Sequence, residues 1–342
     1  MFPEAAISTL FLNRPTLSPA MAARDWRVSP LGRIAPRFVE HRKLLPLYPW
    51  AVRRLRVPAG TRLLLSSDAT LIKGLRKPPG CFHVCYCHSP PRYLWDLANE
   101  YARRTAGLGA AGRWLFRLLL PRLRAFDRAA ADGVDSFLAN SRFVANRIRR
   151  CYGREAAVVY PPVDLRRFAP ASVGGYYLVV AELVAYKRVA LAVAACARTG
   201  RRLVVVGAGA ERARLRRLAG PTVEFTGRRS DAEVADLMAH CRALVYPQIE
   251  DFGIAAVEAQ AAGRPVLAYR GGGALETVVE GKTGLFFDAQ EETALVATLD
   301  DFEAAPGRFA PEACCRQAAR FAPEEFRTGL GRAITAALAN PR

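Results

Sequence analysis

Pro247-Gln248-Ile249-Glu250-Asp251-Phe252-Gly253-Ile254-Ala255-Ala256-Val257-Glu258 places two carboxylates with seven residues between them. Ala243–Tyr246 before it reads as a strand, and Ile254–Ala262 as a helix. Glu250 then falls in the loop at the strand's end, and Glu258 one to two turns into the helix. The amides of Asp251, Phe252, Gly253 and Ile254 come at the helix start. Unpaired N–H groups and the helix dipole favour oxygen-rich, anionic ligands there, and Gly253 lets a ligand approach the backbone. Each carboxylate can accept hydrogen bonds from sugar hydroxyls. Two glutamates alone are more often surface or capping groups, so the neighbouring turns must decide.

Three further turns bear on the decision. Gly271-Gly272-Gly273-Ala274-Leu275-Glu276 follows the next strand, Val266–Tyr269, and opens the next helix, giving a second nest of amides. Gly207-Ala208-Gly209 follows the strand Leu203–Val206. Tyr186-Lys187-Arg188 follows the strand Tyr177–Val180, and its cations suit a diphosphate. Successive strand-end anion sites with two carboxylates describe a pocket for a nucleotide-sugar.

Elements must bring these turns to one edge. Candidate strands in the first half are Ala6–Phe11, Arg62–Ser66, Phe82–Cys87, Ser136–Ala139 and Ala157–Tyr160, with helices over Arg113–Ala131 and Arg142–Cys151. The Pro- and Gly-rich stretch from Pro161 to Gly175 reads as a linker. Beyond it strands and helices alternate regularly: helices at Val189–Ala197, Glu211–Leu218 and Asp231–His240, a further strand at Val223–Phe225, and a helical tail from Pro311 to Leu338. The pattern predicts an α/β fold with two doubly wound, mainly parallel sheets facing each other across a cleft.

Composition agrees with two domains. The chain has 342 residues, and 51% are hydrophobic, which excludes disorder as the main state. No apolar run reaches the roughly 18 residues of a membrane span, and the N-terminus lacks a basic secretory leader. A cytoplasmic protein is expected, with its eight cysteines reduced. Cys81, Cys85, Cys87 and His88 raise the question of a metal, but their run reads as a buried strand without the turn a zinc hairpin needs. The net charge of +19 lies almost wholly in residues 1–170, which hold 29 Lys and Arg against 11 Asp and Glu. Such asymmetry points to an anionic partner: phosphorylated substrate, membrane surface or nucleic acid. No nucleic-acid-binding motif is present. Arg113, Arg117, Arg124 and Arg128 recur on one helical face, with Trp114, Leu118, Leu119 and Leu123 elsewhere; this is a solvated face or a contact for lipid headgroups.

The sequence resembles retaining glycosyltransferases of family 4, which have the GT-B fold. The resemblance rests on the Glu250–Glu258 pair and on four other runs in order: Cys87-His88-Ser89-Pro90-Pro91-Arg92-Tyr93-Leu94-Trp95-Asp96, Ala139-Asn140-Ser141-Arg142-Phe143-Val144, Tyr160-Pro161-Pro162-Val163-Asp164 and Ala185-Tyr186-Lys187-Arg188. It implies an acceptor-side domain over 1–168 and a donor-side domain over 169–321, with a helix at about 322–340 packing back on the first. It implies that Glu250 and the amides of Asp251 to Ile254 hold the donor sugar, that Glu258 binds the ribose, and that Lys187, with Arg188, neutralises the departing diphosphate. His88 would point into the cleft near that sugar. Gly227, with Arg228, would border the base, and Gly207, Gly272 and Gly273 would complete the donor site. The implied reaction moves a hexose, mannose from GDP-mannose first and UDP-sugars next, to a glycan or lipid-linked hydroxyl. It needs no metal or other cofactor and proceeds with retention. Many relatives build bacterial surface polysaccharides at the inner membrane face, so peripheral contact there is expected.

Two departures stand out. Ala6–Phe11 aligns with the family's second strand, so the first strand, its glycine-rich loop and its helix are expected to be missing. That leaves an alternative reading: a truncated, non-catalytic GT-B module that binds a nucleotide, a glycan or a partner protein. Glu182 occupies a position where many relatives have an arginine that joins the lysine on the diphosphate. A nucleotide-sugar epimerase of the same fold is disfavoured by the combination of Glu250, Glu258 and Lys187.

Overall fold

The computed structural model describes residues 2–34, 41–100, 109–305 and 307–339. The chain divides into two compact units, Met1–Val159 with Leu330–Arg342, and Tyr160–Gly329. Each is described by itself.

The first unit holds two separate parallel sheets. Strand β1 (Ile7–Thr9) pairs with β2 (Trp26–Val28) as a two-stranded sheet. Strands β3 (Leu63–Asp68), β4 (Phe82–Cys87), β5 (Ser136–Ala139) and β6 (Ala156–Val158) form a four-stranded sheet in that order. Strand β4 is buried from His83 to Cys87, with Cys85 and Cys87 in a core with Phe137, Val144 and Ile148. Burial pushes the Cys85 thiol up to about 12, so it stays a protonated packing group. Strand β3 is an edge, and Leu65 on it is 37% exposed. The expected β1 strand is present, but its one pairing among the described residues is to β2.

Lys73 is a buried exception in this basic half. Its ammonium pairs with Asp68 (3.1 Å) and Asp127 (2.5 Å). Asp127 also accepts from Trp95 Nε1 (2.8 Å) and the Tyr152 hydroxyl (2.9 Å). One ion cluster thereby joins the end of β3, the helix Gly109–Asp132 and the helix Arg142–Tyr152. The helix Gly109–Asp132 runs through Pro121. Its arginines do not share one solvated face. Arg124 donates to the Leu94 carbonyl, and Arg124 and Arg128 both lie over the Trp95 ring. Trp114, Leu115 and Leu118 are exposed instead, Trp114 by 67%.

The second unit is one six-stranded parallel sheet. Its strands are β7 (Tyr177–Val180), β8 (Leu203–Val206), β9 (Val223–Gly227), β10 (Leu244–Tyr246), β11 (Val266–Tyr269) and β12 (Gly284–Phe287). Their spatial order is β12-β11-β10-β7-β8-β9, the doubly wound pattern. Near-continuous runs such as Leu203-Val204-Val205-Val206 suit a sheet covered on both faces; side chains alternate into two cores, one around Met238 and Phe252, the other around Leu203 and Leu295. The boundary lies nearer Tyr160 than residue 168. The reason is packing: Val163 and Phe168 sit in the second unit's core, and Tyr160 lies against Phe252 and Phe321. The helix Pro323–Ala339 starts in the second unit and ends in the first.

Candidate functional site

Strands β7 and β10 are neighbours although two strands separate them in sequence. The winding reverses between them, which opens a crevice beyond their carboxyl ends. The loop after β7 carries Lys187, and the loop after β10 carries Glu250. The Lys187 ammonium pairs with Glu250 Oε1, and each side chain is 17% exposed. Lys187 comes from the short turn Ala185–Lys187, and Arg188 follows in the left-handed region (φ 53°), rare for a side chain that size.

Glycines let these loops sit where they do. A Cβ on Gly207 would lie 1.9 Å from the Ala181 carbonyl oxygen, so only glycine lets the loop after β7 cross the end of β8. The Gly207 amide donates to the Gly227 carbonyl (2.8 Å), which ties the ends of β8 and β9. Gly253 (φ 95°) caps the helix Ile254–Ala261. The Phe252 ring is buried on Tyr160 and Phe321, so what this residue offers a ligand is backbone. Asp251 is half-buried, and Ile254 is 48% exposed.

Gly272 and Gly273 have a different place from the one the sequence suggests. The helix after them, Ala274–Thr277, has four residues, too short for an anion-binding terminus. A Cβ on Gly273 would lie 2.3 Å from the Phe252 carbonyl oxygen, and the Gly273 amide donates to the Glu250 carbonyl (2.9 Å). A Cβ on Gly272 would lie 2.4 Å from that same Glu250 oxygen. Both glycines therefore form a floor beneath the loop that presents Glu250.

Glu258 stands in the second turn of its helix with a side chain 16% exposed. Arg167 reaches it at 2.9 Å and grips Asp231 at 2.7 Å with its other nitrogen. Burial raises the Glu258 carboxyl above the usual carboxylate range; Arg167 opposes that shift and Asp231 adds to it. Gly227 and Arg228 lie at the end of β9, with Arg228 exposed. Glu182 is exposed at the start of the loop after β7.

His88 belongs to the first unit, just past β4. Its amide donates to the Asp68 carbonyl (2.8 Å), and Asn140 Nδ2 donates to the His88 carbonyl (2.9 Å). Its Nε2 hydrogen-bonds the Ser67 hydroxyl (2.8 Å), and its ring meets Tyr86 edge-on. The two first-half motifs are thus knitted together: Arg147 holds Ser89 (2.7 Å) and Asp96 (2.7 Å), and Ser141 caps the helix carrying Arg147.

Three site residues escaped the sequence reading. Arg167 and Asp231 reach Glu258 only through folding, with no spacing to mark them. Gln248 carries no motif signal of its own; its Oε1 is buried without a hydrogen-bond partner in the loop after β10.

Residues 168–320 match the family model of the glycosyl transferases group 1. The chain is 28% identical over 256 residues to the GDP-mannose-dependent alpha-(1-6)-phosphatidylinositol monomannoside mannosyltransferase of Mycolicibacterium smegmatis, covering 65% of this chain and 67% of that protein. It is 33% identical over 205 residues to the enzyme of that name from Mycobacterium tuberculosis H37Rv, covering 50% of this chain and 53% of the relative. Among solved structures, sucrose-phosphate synthase from Thermosynechococcus elongatus aligns with a TM-score of 0.72 at 20% identity, over 94% of this chain and 85% of its own.

Proposed function

We propose that this chain, whose residues 168–320 match the glycosyl transferases group 1 model and whose fold is that of sucrose-phosphate synthase, is a glycosyltransferase that moves a hexose, mannose foremost, from a nucleoside diphosphate sugar to a glycan or lipid-linked hydroxyl, with retention. The observation that carries this reading is the meeting of Lys187 and Glu250 at the switch point between β7 and β10, with Glu258 on the following helix. In this structure the two charges satisfy each other. A donor diphosphate takes over Lys187 and frees Glu250 to accept from the sugar's hydroxyls. Exchange of one charged partner for another keeps the desolvation cost low.

In the proposed step the bond between the anomeric carbon and the diphosphate oxygen breaks. The acceptor oxygen bonds to that carbon on the same face, and its proton passes to the departing phosphate oxygen. Lys187 and the amides at Gly253 and Ile254 stabilise the charge that develops, so the step calls for no metal. GDP-mannose is the first donor to test, because the two mannosyltransferase relatives carry GDP-mannose in their names; UDP-sugars come next.

Among the described residues no helix is long and apolar enough to cross a membrane. The exposed Trp114, Leu115 and Leu118, beside the exposed Arg117 and Arg122, support peripheral contact with an anionic inner-membrane surface. The alternative is a non-catalytic module that binds a nucleotide, a glycan or a partner protein; the divided sheet of the first unit supports it.

Thermal shift and donor hydrolysis with a panel of GDP- and UDP-sugars test the proposal. It expects stabilisation by one base class and slow release of its nucleoside diphosphate. Stabilisation without turnover, even with acceptors supplied, favours the binding module. No stabilisation by any donor removes the transferase reading and the nucleotide-binding form of the alternative.

A further inference from the structure

The first unit contains a concavity of about 950 Å³ remote in sequence from every donor-site residue. Arg27, Arg33, Arg53, Arg54, Arg56 and Arg76 line it, and among the described residues the rest of the lining is Lys77 and apolar residues, with no carboxylate. Lys77 is paired with Asp135. None of the six arginines makes an ion pair with a described acidic residue. Several arginines elsewhere in this chain do have one: Arg149 with Glu155, Arg150 with Asp96, Arg201 with Asp300 and Glu303, Arg270 with Glu280 and Asp288.

Two features hold these cations together. Arg56 and Arg76 face each other across an isolated parallel bridge. The Arg53 and Arg54 guanidiniums lie over the Phe126 and Trp50 rings, each 5.1 Å from the centroid. Like charges gathered around one concavity repel, and a concave wall focuses their field on whatever enters. A planar guanidinium fork matches phosphate oxygens with two parallel hydrogen bonds, and several forks around one volume match several phosphates better than a single carboxylate.

We propose that this basin binds a ligand carrying two or more phosphate groups, as a soluble phosphorylated sugar or polyol or as the headgroup of a phosphorylated lipid. The site is separate from the donor pocket and stands or falls independently of the transfer reaction.

The test is calorimetric titration of the full chain with inositol hexakisphosphate and with pyrophosphate, in about 0.15 M salt. The variant is Arg33→Gln/Arg56→Gln/Arg76→Gln, three exposed side chains without recorded partners. We expect at least about a tenfold loss of affinity, with an unchanged or raised Tm in the absence of ligand, since repulsion is relieved. Arg216→Gln/Arg217→Gln, on the second unit's surface, should bind as the parent does. Vesicles of phosphatidylcholine with and without phosphatidylinositol bisphosphate separate the two sources: retention on the phosphorylated vesicles alone, lost in the triple variant, assigns the lipid. Binding to neither probe nor vesicle, or binding indifferent to the triple substitution, overturns the proposal. Equal affinity for a short DNA duplex, lost in the same variant, overturns it in favour of a general polyanion surface.

Discussion

Lys187 and Glu250 neutralise each other, so removing Glu250 takes away the counter-charge of a half-buried ammonium. Glu250→Ala should abolish transfer while moving Tm little, because Lys187 can turn to water through its exposed fraction. Turnover retained above a few per cent would contradict the role given to Glu250. Glu258 offers a pH test. Its carboxyl is raised by burial, so the folded protein holds that proton more tightly than the unfolded chain does. This group's contribution to stability therefore falls as pH rises through the raised value. Nucleotide binding runs the other way: ribose hydroxyls prefer the carboxylate, so affinity should fall as pH drops through the same value. Arg167→Ala removes the group that opposes the shift, and the acid limb of the binding profile should move to higher pH. A uniform weakening with an unmoved limb would make Arg167 merely structural.

At the scale of elements, much of the second unit was legible because its strands are short apolar runs between glycine turns. Tyr177–Val180, Leu203–Val206 and Val266–Tyr269 stand where periodicity puts them. Trp26–Val28 and Gly284–Phe287 were not read as strands, since three or four residues carry too little pattern to separate from a loop. The motif around Glu250 announced its loop, but not that Gly272 and Gly273 are its floor, because contacts across a sheet leave no spacing in the chain. Gly273→Ala should accordingly destabilise by about 2–4 kcal/mol and weaken nucleotide binding, as chemical denaturation and titration would show. In the first unit, burial and the Lys77 charge lower the His83 pKa to about 4, with Ser66 at 2.7 Å on its Nε2. The unfolded chain takes up that proton first, so stability is lost as pH falls from about 6.5 toward 4, by about 3 kcal/mol. Denaturation midpoints at the two ends of that range should differ in the parent and converge in His83→Gln.

The whole molecule is two compact units of contrasting electrostatic character. Almost all of the +19 net charge belongs to residues 1–170, while the proposed donor pocket belongs to Tyr160–Gly329. A nucleoside diphosphate should therefore raise the unfolding transition of the second unit by mass action. Calorimetry with two resolvable transitions should show the first unit's moving less. The charge asymmetry was plain in the sequence. Its distribution was not, since four arginines on one helix resolve into two that hold Trp95 and others that meet solvent.

Among the described residues no strand pairs with the outer side of β3, and Leu65 stands on it exposed. A bare ladder of amides and carbonyls is a template for any extended chain that drifts past. Storage life is then governed by this seam rather than by heat: concentrated samples should turn turbid while still fully folded, and Leu65→Lys should keep them clear.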